Sequence, residues 1–552
     1  MPDKSTGSGR PSRPARRPSA SSPRHPRQPN VRVLDPLTAY QTKGQGSVQP
    51  AAFVADSLLV RGFHPETVEA LATVAARAGF ALSWDERGER ERAVLRRAPL
   101  SAEQRAELEE VWVRRVRLVP DDPNDPVFKP IDTWRLLQAY RVHVGPRSPR
   151  RGDVALDHPA VADPVTGSHP VTGSHPVTGS HPVTGSHPVT GSHPVTGSHP
   201  VTGSHAIAQY AEPGWGGRQP VSWLGDDPTP SYDLSSGAPR PVVAVLDTGI
   251  GKHPWLGRDV VKHDLKVLGL PLGVDVASAE AELTGVSDDL VGLLDPDAGH
   301  GTFIAGLIRQ QCPEALILDV PTYGNAGEVA ESDLISCLQR LALRQVLARN
   351  GDRRYEPVDV VSLSLGYYHE QPGDKSFDAL LLGPLRLLGR YGVAVVASAG
   401  NDATSRPSYP AAFAPHPGGR VRDHDDVVPV SAVGARNPDG SVALFSNDGP
   451  WVKYLRPGAS LVSTFPVTFD ASATPSYELV TRDGQRRASI DPDDFRSGFG
   501  VWSGTSFAAP VLAGELAQAL AGRYRDGDHD LGKDSAVARM RGLLDGLKKR
   551  RP

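Results

Sequence analysis

An α/β fold with a mainly parallel sheet is predicted for residues 239–525, preceded by a small ferredoxin-like α+β module and a disordered repeat linker. Three observations predict it. Short β-branched runs at 242–246, 316–320, 358–365, 393–397 and 427–433 alternate with helical patterns at 333–348 and 377–391. Runs apolar on both faces are what strands covered by helices on two sides require. Residues 51–120 carry the order strand, helix, strand, strand, helix, strand, which suits a ferredoxin-like unit. Between these regions lies a repeat with no large apolar group.

The first 50 residues read as a disordered tail, rich in Ser, Pro and Arg, with Lys4, Arg10, Arg13, Arg16, Arg17, Arg24 and Arg27 almost unopposed. A solvated tail is the plain reading, and a nucleic-acid or partner-binding arm is the alternative. From residue 51 the pattern becomes regular. Residues 53–60 are strand-like. Pro65 stands where a first helical residue would, Val68, Leu71, Ala72, Ala75 and Ala78 form one apolar face, and Gly79 stops the helix. Residues 80–84 and 93–97 read as short strands about a charged turn. Ser101 with Gln104 makes a capping box that opens a helix, and 111–119 alternates as the last strand. The segment 121–238 is assigned as linker, with one further helix around 132–140.

Within that linker the unit Pro-Val-Thr-Gly-Ser-His repeats seven times without a mismatch over 164–205. Each copy offers one β-branched pair and no large apolar side chain, so it cannot build a core. Its histidines could chelate metal, and a β-solenoid is conceivable, but no carboxylate or cysteine completes a fixed ligand set. After the α/β domain, 526–552 ends in a helix-like stretch and a basic tip.

The 552 residues hold 60 Lys and Arg against 63 Asp and Glu, a formal net charge of −3. Nothing global therefore points to nucleic acid or an acidic membrane surface. Arg16-Arg17 is followed by Pro-Ser-Ala-Ser-Ser-Pro rather than the apolar stretch an export signal needs. No apolar run approaches the ~18 residues of a membrane span. The expectation is a cytoplasmic protein, with export by an unrecognised route as the alternative. Cys312 and Cys337 are the only cysteines and are expected to be small core residues.

Three segments inside the α/β domain carry chemistry. Asp247 follows the strand 242–246 and precedes Thr248-Gly249; a carboxylate at the carboxyl end of a buried parallel strand lies where such sheets place their sites. His300 stands in Gly299-His300-Gly301-Thr302, directly before a helical pattern. Ser506 stands in Gly504-Thr505-Ser506-Phe507-Ala508-Ala509-Pro510 and opens an almost wholly apolar helix. Each segment alone can be an ordinary turn or helix start. Their occurrence in the order Asp, His, Ser within one domain is more specific.

With these motifs the chain resembles the subtilisin-like serine proteases, the subtilases, over roughly 241–521. Further stretches support the likeness: Val360 to Gly366, Ala397-Ser398-Ala399-Gly400-Asn401, Tyr409-Pro410-Ala411, and Phe445-Ser446-Asn447. The resemblance implies a three-layer catalytic domain and an Asp247–His300–Ser506 triad. It implies an oxyanion hole from Asn401 and the Ser506 backbone N–H. It also implies a substrate cleft along Ser364, Leu365, Gly366, Ser398, Ala399 and Gly400. No cofactor is required; structural calcium is possible, but no family calcium loop can be matched.

The implied function is endopeptidase activity on peptides or proteins through an acyl-enzyme. Alternatives are a processing enzyme dedicated to one partner polypeptide and a non-catalytic regulatory protein on a protease scaffold. Residues 51–120 resemble the family's propeptide and are expected to act as an intramolecular inhibitor; an unrelated α+β adaptor is the alternative. The extra sequence between Asp247 and His300, with Asp288, Asp289, Asp295 and Asp297, and the stretch 469–499 are expected to be surface loops. The cleft segments bring no charged side chain, which favours apolar or neutral residues before the scissile bond.

Overall fold

The computed structural model describes residues 30–42, 46–122, 130–162, 165, 207, 209–234, 239–274, 282–286, 288, 290–324, 327–371 and 379–549. The basic tail up to residue 29 and the repeat tract, Val165 apart, lie outside them.

The apolar runs of the α/β domain form one sheet of seven strands. Its order is Val261–Lys262, Leu316–Pro321, Val242–Asp247, Val360–Leu363, Ala394–Ser398, Ser431–Arg436 and Val452–Pro457, every neighbouring pair parallel. Alternation along the strand Val242–Asp247 explains why its run is apolar throughout. Val242, Ala244 and Leu246 enter a core with the helices Glu331–Arg349 and Ala379–Arg390. Val243 and Val245 enter a second core with the helices His300–Gln311 and Thr505–Arg525. Helices on both faces of a parallel sheet make the predicted three layers. The helix Lys533–Lys549 buries Val537, Met540 and Leu544 in that second core, so it belongs to the domain rather than standing beyond residue 525. Cys312 and Cys337 are buried and free.

The amino-terminal module takes the ferredoxin-like strand order: Phe80–Trp84, Val113–Pro120, Ser57–Arg61, Val154–Leu156, all antiparallel. Its first helix, Pro65–Ala78, starts at the proline and ends on Gly79 at φ 83°. The Ser101–Gln104 capping box is present. Two expectations need correction. Residues 93–97 are helical, not a strand: the helix Glu86–Arg97 starts on Asp85, whose side chain accepts from Arg87 N, and it buries Leu95 on one face. The unit also does not end at 120. Its second sheet-covering helix is Thr133–Val144 and its edge strand is Val154–Leu156, both beyond that boundary.

The sheet of this module has two buried faces. One, with Leu58 and Val60, packs under helices Pro65–Ala78 and Thr133–Val144. The other, with Leu59 and Ala155, shares a core with the α/β domain's helices Glu331–Arg349 and Ala379–Arg390. Arg340 of the first of these helices donates to Glu91 at 2.8 Å, both side chains buried.

The linker assignment also shrinks: 209–234 contains Tyr210, Trp223 and Tyr232, which pack against the second core. Gln219–Pro220 adds a strand beside Phe499–Trp502, and Trp223 stacks on Phe499 with ring centroids 5.4 Å apart. The extra stretches are only partly surface loops: Asp297, Phe469 and Phe495 are buried. Asp289 lies outside the described residues. No helix among the described residues is long and apolar enough to cross a membrane.

Candidate active site

Asp247 ends its strand at the carboxyl edge of the sheet, and His300 opens the helix His300–Gln311. The chain reaches that helix through Gly299 at φ +86°, a conformation that disfavours a side chain. At Gly301 a Cβ would lie 2.1 Å from the Gly249 carbonyl oxygen. The two glycines thus let the turn and the helix close on the Asp247 strand. There the His300 Nδ1 is 2.7 Å from Asp247 Oδ1. Because a carboxylate only accepts, Nδ1 carries the proton and Nε2 is left as the basic nitrogen.

Ser506 is the second residue of the helix Thr505–Arg525, so its backbone N–H has no partner within the helix. Its hydroxyl donates to the Ser364 carbonyl at 3.3 Å, while Ser364 Oγ donates to the Ser506 carbonyl at 2.8 Å. His300 Nε2 is buried with no hydrogen-bond partner. The Asp–His half of the predicted triad is therefore joined, and the His–Ser half is not hydrogen-bonded in this state. The Phe507 ring, next to Ser506, lies 5.1 Å from the imidazole. Asn401 sits at the same helix start, its Oδ1 accepting from Thr505 N at 2.8 Å. Gly400 N donates to Thr505 Oγ1 at 3.1 Å.

Three groups around the imidazole were not foreseen from sequence. The Tyr323 hydroxyl donates to Asp247 Oδ2 at 2.9 Å. Glu282 takes the Thr248 hydroxyl at 2.6 Å, the Thr302 hydroxyl at 2.8 Å and Gly299 N at 3.3 Å. Asp297 accepts from His300 N through its backbone at 3.0 Å and buries its own carboxyl. Burial pushes both the Glu282 and Asp297 carboxyls up to about 7. Burial alone would lower the His300 pKa; Asp247 first, then Asp297 and Glu282, outweigh it and hold it above 6.5. Tyr323 had one sequence signal: it follows the strand Leu316–Pro321, neighbour of the Asp247 strand, at the same carboxyl edge.

Of the expected cleft residues, Ser364, Leu365 and Gly366 lie along one wall. Leu365–Tyr368 runs as a strand, and the amino-terminal module lays its own continuation, Pro159–Ala162, antiparallel against it. Leu365 faces Ala162 and Gly366 faces Val161. On its other side Pro159–Ala162 pairs with Glu328–Ala330. Farther along, Val165 N donates to Ser503 O at 3.0 Å. Ala162 and Val165 therefore bracket the wall at which Ser364 and Ser506 meet. Ser398 ends its strand, and Ala399 O accepts from Asn447 Nδ2 at 3.0 Å.

Two groups of side chains bring metal-ligand atoms within 4.8 Å of one another. In the first, His158, His369 and Glu370, the Gln371 N–H donates to His369 Nδ1 at 2.9 Å. The proton of neutral His369 then sits on Nε2, the nitrogen that faces Glu370, and the set does not suit a metal ion. In the second, Asp470, Asp491 and Asp493, Arg496 already pairs with Asp470 at 3.1 Å.

A model described as the subtilase family matches residues 239–540. A second, the trappin protein transglutaminase binding domain, matches 164–193 and 176–204, within the repeats. The chain is 26% identical over 298 residues to a thermophilic serine proteinase of Bacillus sp. (strain AK1), covering 54% of this chain and 56% of that protein. It is 28% identical over 239 residues to subtilisin BL of Lederbergia lenta, covering 42% of this chain and 68% of that one. Among solved structures, a cold adapted subtilisin-like serine proteinase aligns at 21% identity and a TM-score of 0.32, covering 56% of this chain and 82% of that one. The chain spans only about half the length of the first of these relatives. The family match takes in Asp247, His300, Asn401 and Ser506 together with the whole parallel sheet that positions them, and the chain belongs to the subtilase family.

Proposed function

We propose that the chain is a serine endopeptidase that hydrolyses peptide bonds through an acyl-enzyme. One observation carries this reading beyond family membership. A peptide segment, the chain's own Pro159–Ala162, lies as an added strand on Leu365–Tyr368, the wall that ends at Ser506.

A serine hydroxyl is a weak nucleophile, so attack needs His300 Nε2 to take the Ser506 proton. A rotation about the Ser506 Cα–Cβ bond moves Oγ from the Ser364 carbonyl to that nitrogen. As Oγ bonds to the substrate carbonyl carbon, the carbonyl π pair moves to oxygen. Ser506 N–H and the Asn401 amide are the donors for that oxyanion. Asp247, held by Tyr323 on its other oxygen, keeps the imidazole oriented and stabilises the imidazolium. The imidazolium then gives its proton to the leaving amine as the C–N bond breaks. Water repeats the sequence and releases the acid. The steps use side chains and backbone donors alone, with no cofactor.

In the same proposal residues 51–162 are the intramolecular inhibitor, because they deliver the occupying strand. That strand is anchored by Asp157, whose carboxylate accepts from Ser332 N at 3.0 Å, from the Ser332 hydroxyl at 2.9 Å and from the Ser57 hydroxyl at 2.8 Å. The repeat unit holds neither glutamine nor lysine, the two side chains a transglutaminase joins, so the repeats are proposed as a spacer.

The test is casein cleavage and labelling by a fluorophosphonate probe, with mass spectrometry of the purified chain. Wild type and an Asp157→Ala chain, whose strand is loosened, are compared with Ser506→Ala. Labelling and cleavage are expected to depend on Ser506 and to be faster in Asp157→Ala. A folded Asp157→Ala chain that neither labels nor cleaves would sink the reading.

A further inference from the structure

The internal strand marks more of the cleft than its backbone ladder. His158 immediately precedes Pro159–Ala162, and its imidazole is fully enclosed by the catalytic domain. Nδ1 is 2.9 Å from Glu331 Oε2 and Nε2 is 2.9 Å from Glu370 Oε2, so a carboxylate stands at each nitrogen edge. The Tyr367 ring stacks on the imidazole at 4.8 Å, tilted by only 13°. Tyr367 also fixes one wall, its hydroxyl donating to Glu331 Oε1 at 2.7 Å.

The receptor half of this arrangement belongs to the catalytic domain. Glu331 opens the helix Glu331–Arg349, Tyr367 lies in the strand Leu365–Tyr368, and Glu370 follows that strand. Two buried carboxylates facing one slot repel each other and are costly without a cation between them. Burial alone would push the His158 imidazole down. Its bonds to Glu331 and Glu370 outweigh that and raise it to about 10, so it is an imidazolium through the neutral range. A peptide that enters in the register of the internal strand brings its own side chain to the place His158 leaves.

We propose that Glu331, Glu370 and the face of Tyr367 form a subsite for a planar cationic side chain, arginine before all others, at the substrate position that His158 occupies. A guanidinium reproduces what the imidazolium does: a flat face for the tyrosine ring and N–H donors on opposite edges. Lysine offers a point charge and no face. Alanine leaves Glu331 with the Tyr367 hydroxyl and Glu370 with His369, and no donor in the slot between them. The subsite lies on the amino-terminal side of the scissile bond. Counting along the ladder from Ala162 opposite Leu365, it is four residues before Ala162. It therefore selects peptides by a basic residue set well back from the cut, while the wall nearest Ser506 stays uncharged.

This inference rests on the protease reading, and the experiment separates the two. The full chain carrying Ser506→Ala and His158→Ala, with its internal cation gone, is titrated with two fluorescein peptides. They share Pro-Ala-Val-Ala and differ only in an arginine or an alanine before it. The arginine peptide is expected to bind about tenfold tighter, and adding Glu370→Gln is expected to abolish the difference. Equal affinities, or a preference that survives both Glu331→Gln and Glu370→Gln, overturn the subsite. Should His158→Ala fail to fold, kcat/KM of the chain with Asp157→Ala on the same two peptides carries the comparison. A tenfold advantage for arginine, lying in KM, is then expected, and its absence overturns the subsite. Peptides bound with the preference but never cut by the Ser506 chain would defeat the protease reading and leave the subsite standing. Cutting without preference would do the reverse.

Discussion

The Tyr323 hydroxyl donates to Asp247 Oδ2 at 2.9 Å, the carboxylate oxygen that His300 does not use. The two oxygens of Asp247 are thus divided between a phenol and an imidazole, and rotation of the carboxylate would cost both bonds. Hydrogen bonds to charged groups contribute about 1.5–3 kcal/mol. Tyr323→Phe is expected to lower kcat/KM about tenfold while the chain still labels at Ser506. A carboxylate relieved of one donor also holds the imidazolium more strongly. The acid limb of the pH–rate profile should therefore move to higher pH, and a limb that stays put would place Tyr323 outside the site's electrostatics.

Asp297 makes an opposite prediction. Its carboxyl is buried beside the His300 turn, Oδ1 has no partner, and burial lifts its pKa from 3.8 to about 7. A folded value above the unfolded one means that the folded state keeps the proton longer. Stability from this group is therefore lost as pH rises from about 4 to about 7. Asp297→Asn is expected to unfold at a higher urea concentration than wild type at pH 8, by about 2 kcal/mol, and to match it at pH 4. Because the Asp297 charge helps to raise the His300 pKa, the acid limb should shift to lower pH in the same variant. Titration of both variants beside wild type checks the two signs together.

How far the sequence reaches depends on how local each constraint is. The parallel strands are legible because Val242 to Leu246 must be apolar on both faces, and that leaves a run no other element requires. Helix Pro65–Ala78 announces its own ends in Pro65 and Gly79. Helix Glu86–Arg97 has a start signal in Asp85 but no apolar stripe, since only Glu91 and Leu95 are buried and its charges read as a turn. Asp247, His300 and Ser506 are visible through the glycines and small residues that each backbone needs nearby. Glu282, Asp297 and Tyr323 are ordinary residues in their own segments and reach the site only through Thr248 and Thr302, the His300 turn and Asp247. The strand Pro159–Ala162 is the extreme case. Nothing in Pro-Ala-Val-Ala marks it as the occupant of a cleft, because its partners, Leu365 and Gly366, lie two hundred residues on.

Gly301 tests the packing behind the imidazole. Its backbone N–H donates to Thr248 Oγ1 at 2.9 Å, and a Cβ would meet the Gly249 carbonyl at 2.1 Å. Gly249 is itself held at φ +110° directly after the Asp247 strand, so it has little room to yield. Gly301→Ala must push the helix His300–Gln311 off that loop. The expected result is a loss of about 3 kcal/mol in urea unfolding and at least a hundredfold loss of kcat/KM, as His300 moves from Asp247. Wild-type stability with wild-type turnover would mean that the close approach is not maintained in solution.

Asn401 separates structure from chemistry most cleanly. Its Oδ1 accepts from Thr505 N, the first N–H of the helix that begins at Ser506's turn, and this bond orients the amide. Asn401→Ala removes both the acceptor for Thr505 and the proposed donor to the oxyanion. Loss of the cap should cost about 1 kcal/mol of stability, and loss of the donor about 10²–10³ in kcat. Asn401→Asp divides the two effects. A carboxylate still accepts from Thr505 N, and it gains from the positive end of the helix, so stability should stay near wild type. It cannot donate, and its charge opposes the oxyanion, so kcat should fall at least as far as in Asn401→Ala. Turnover retained in either variant, with the protein folded, would remove Asn401 from the oxyanion hole. Loss of turnover only in step with loss of folding would leave it as a cap and nothing more.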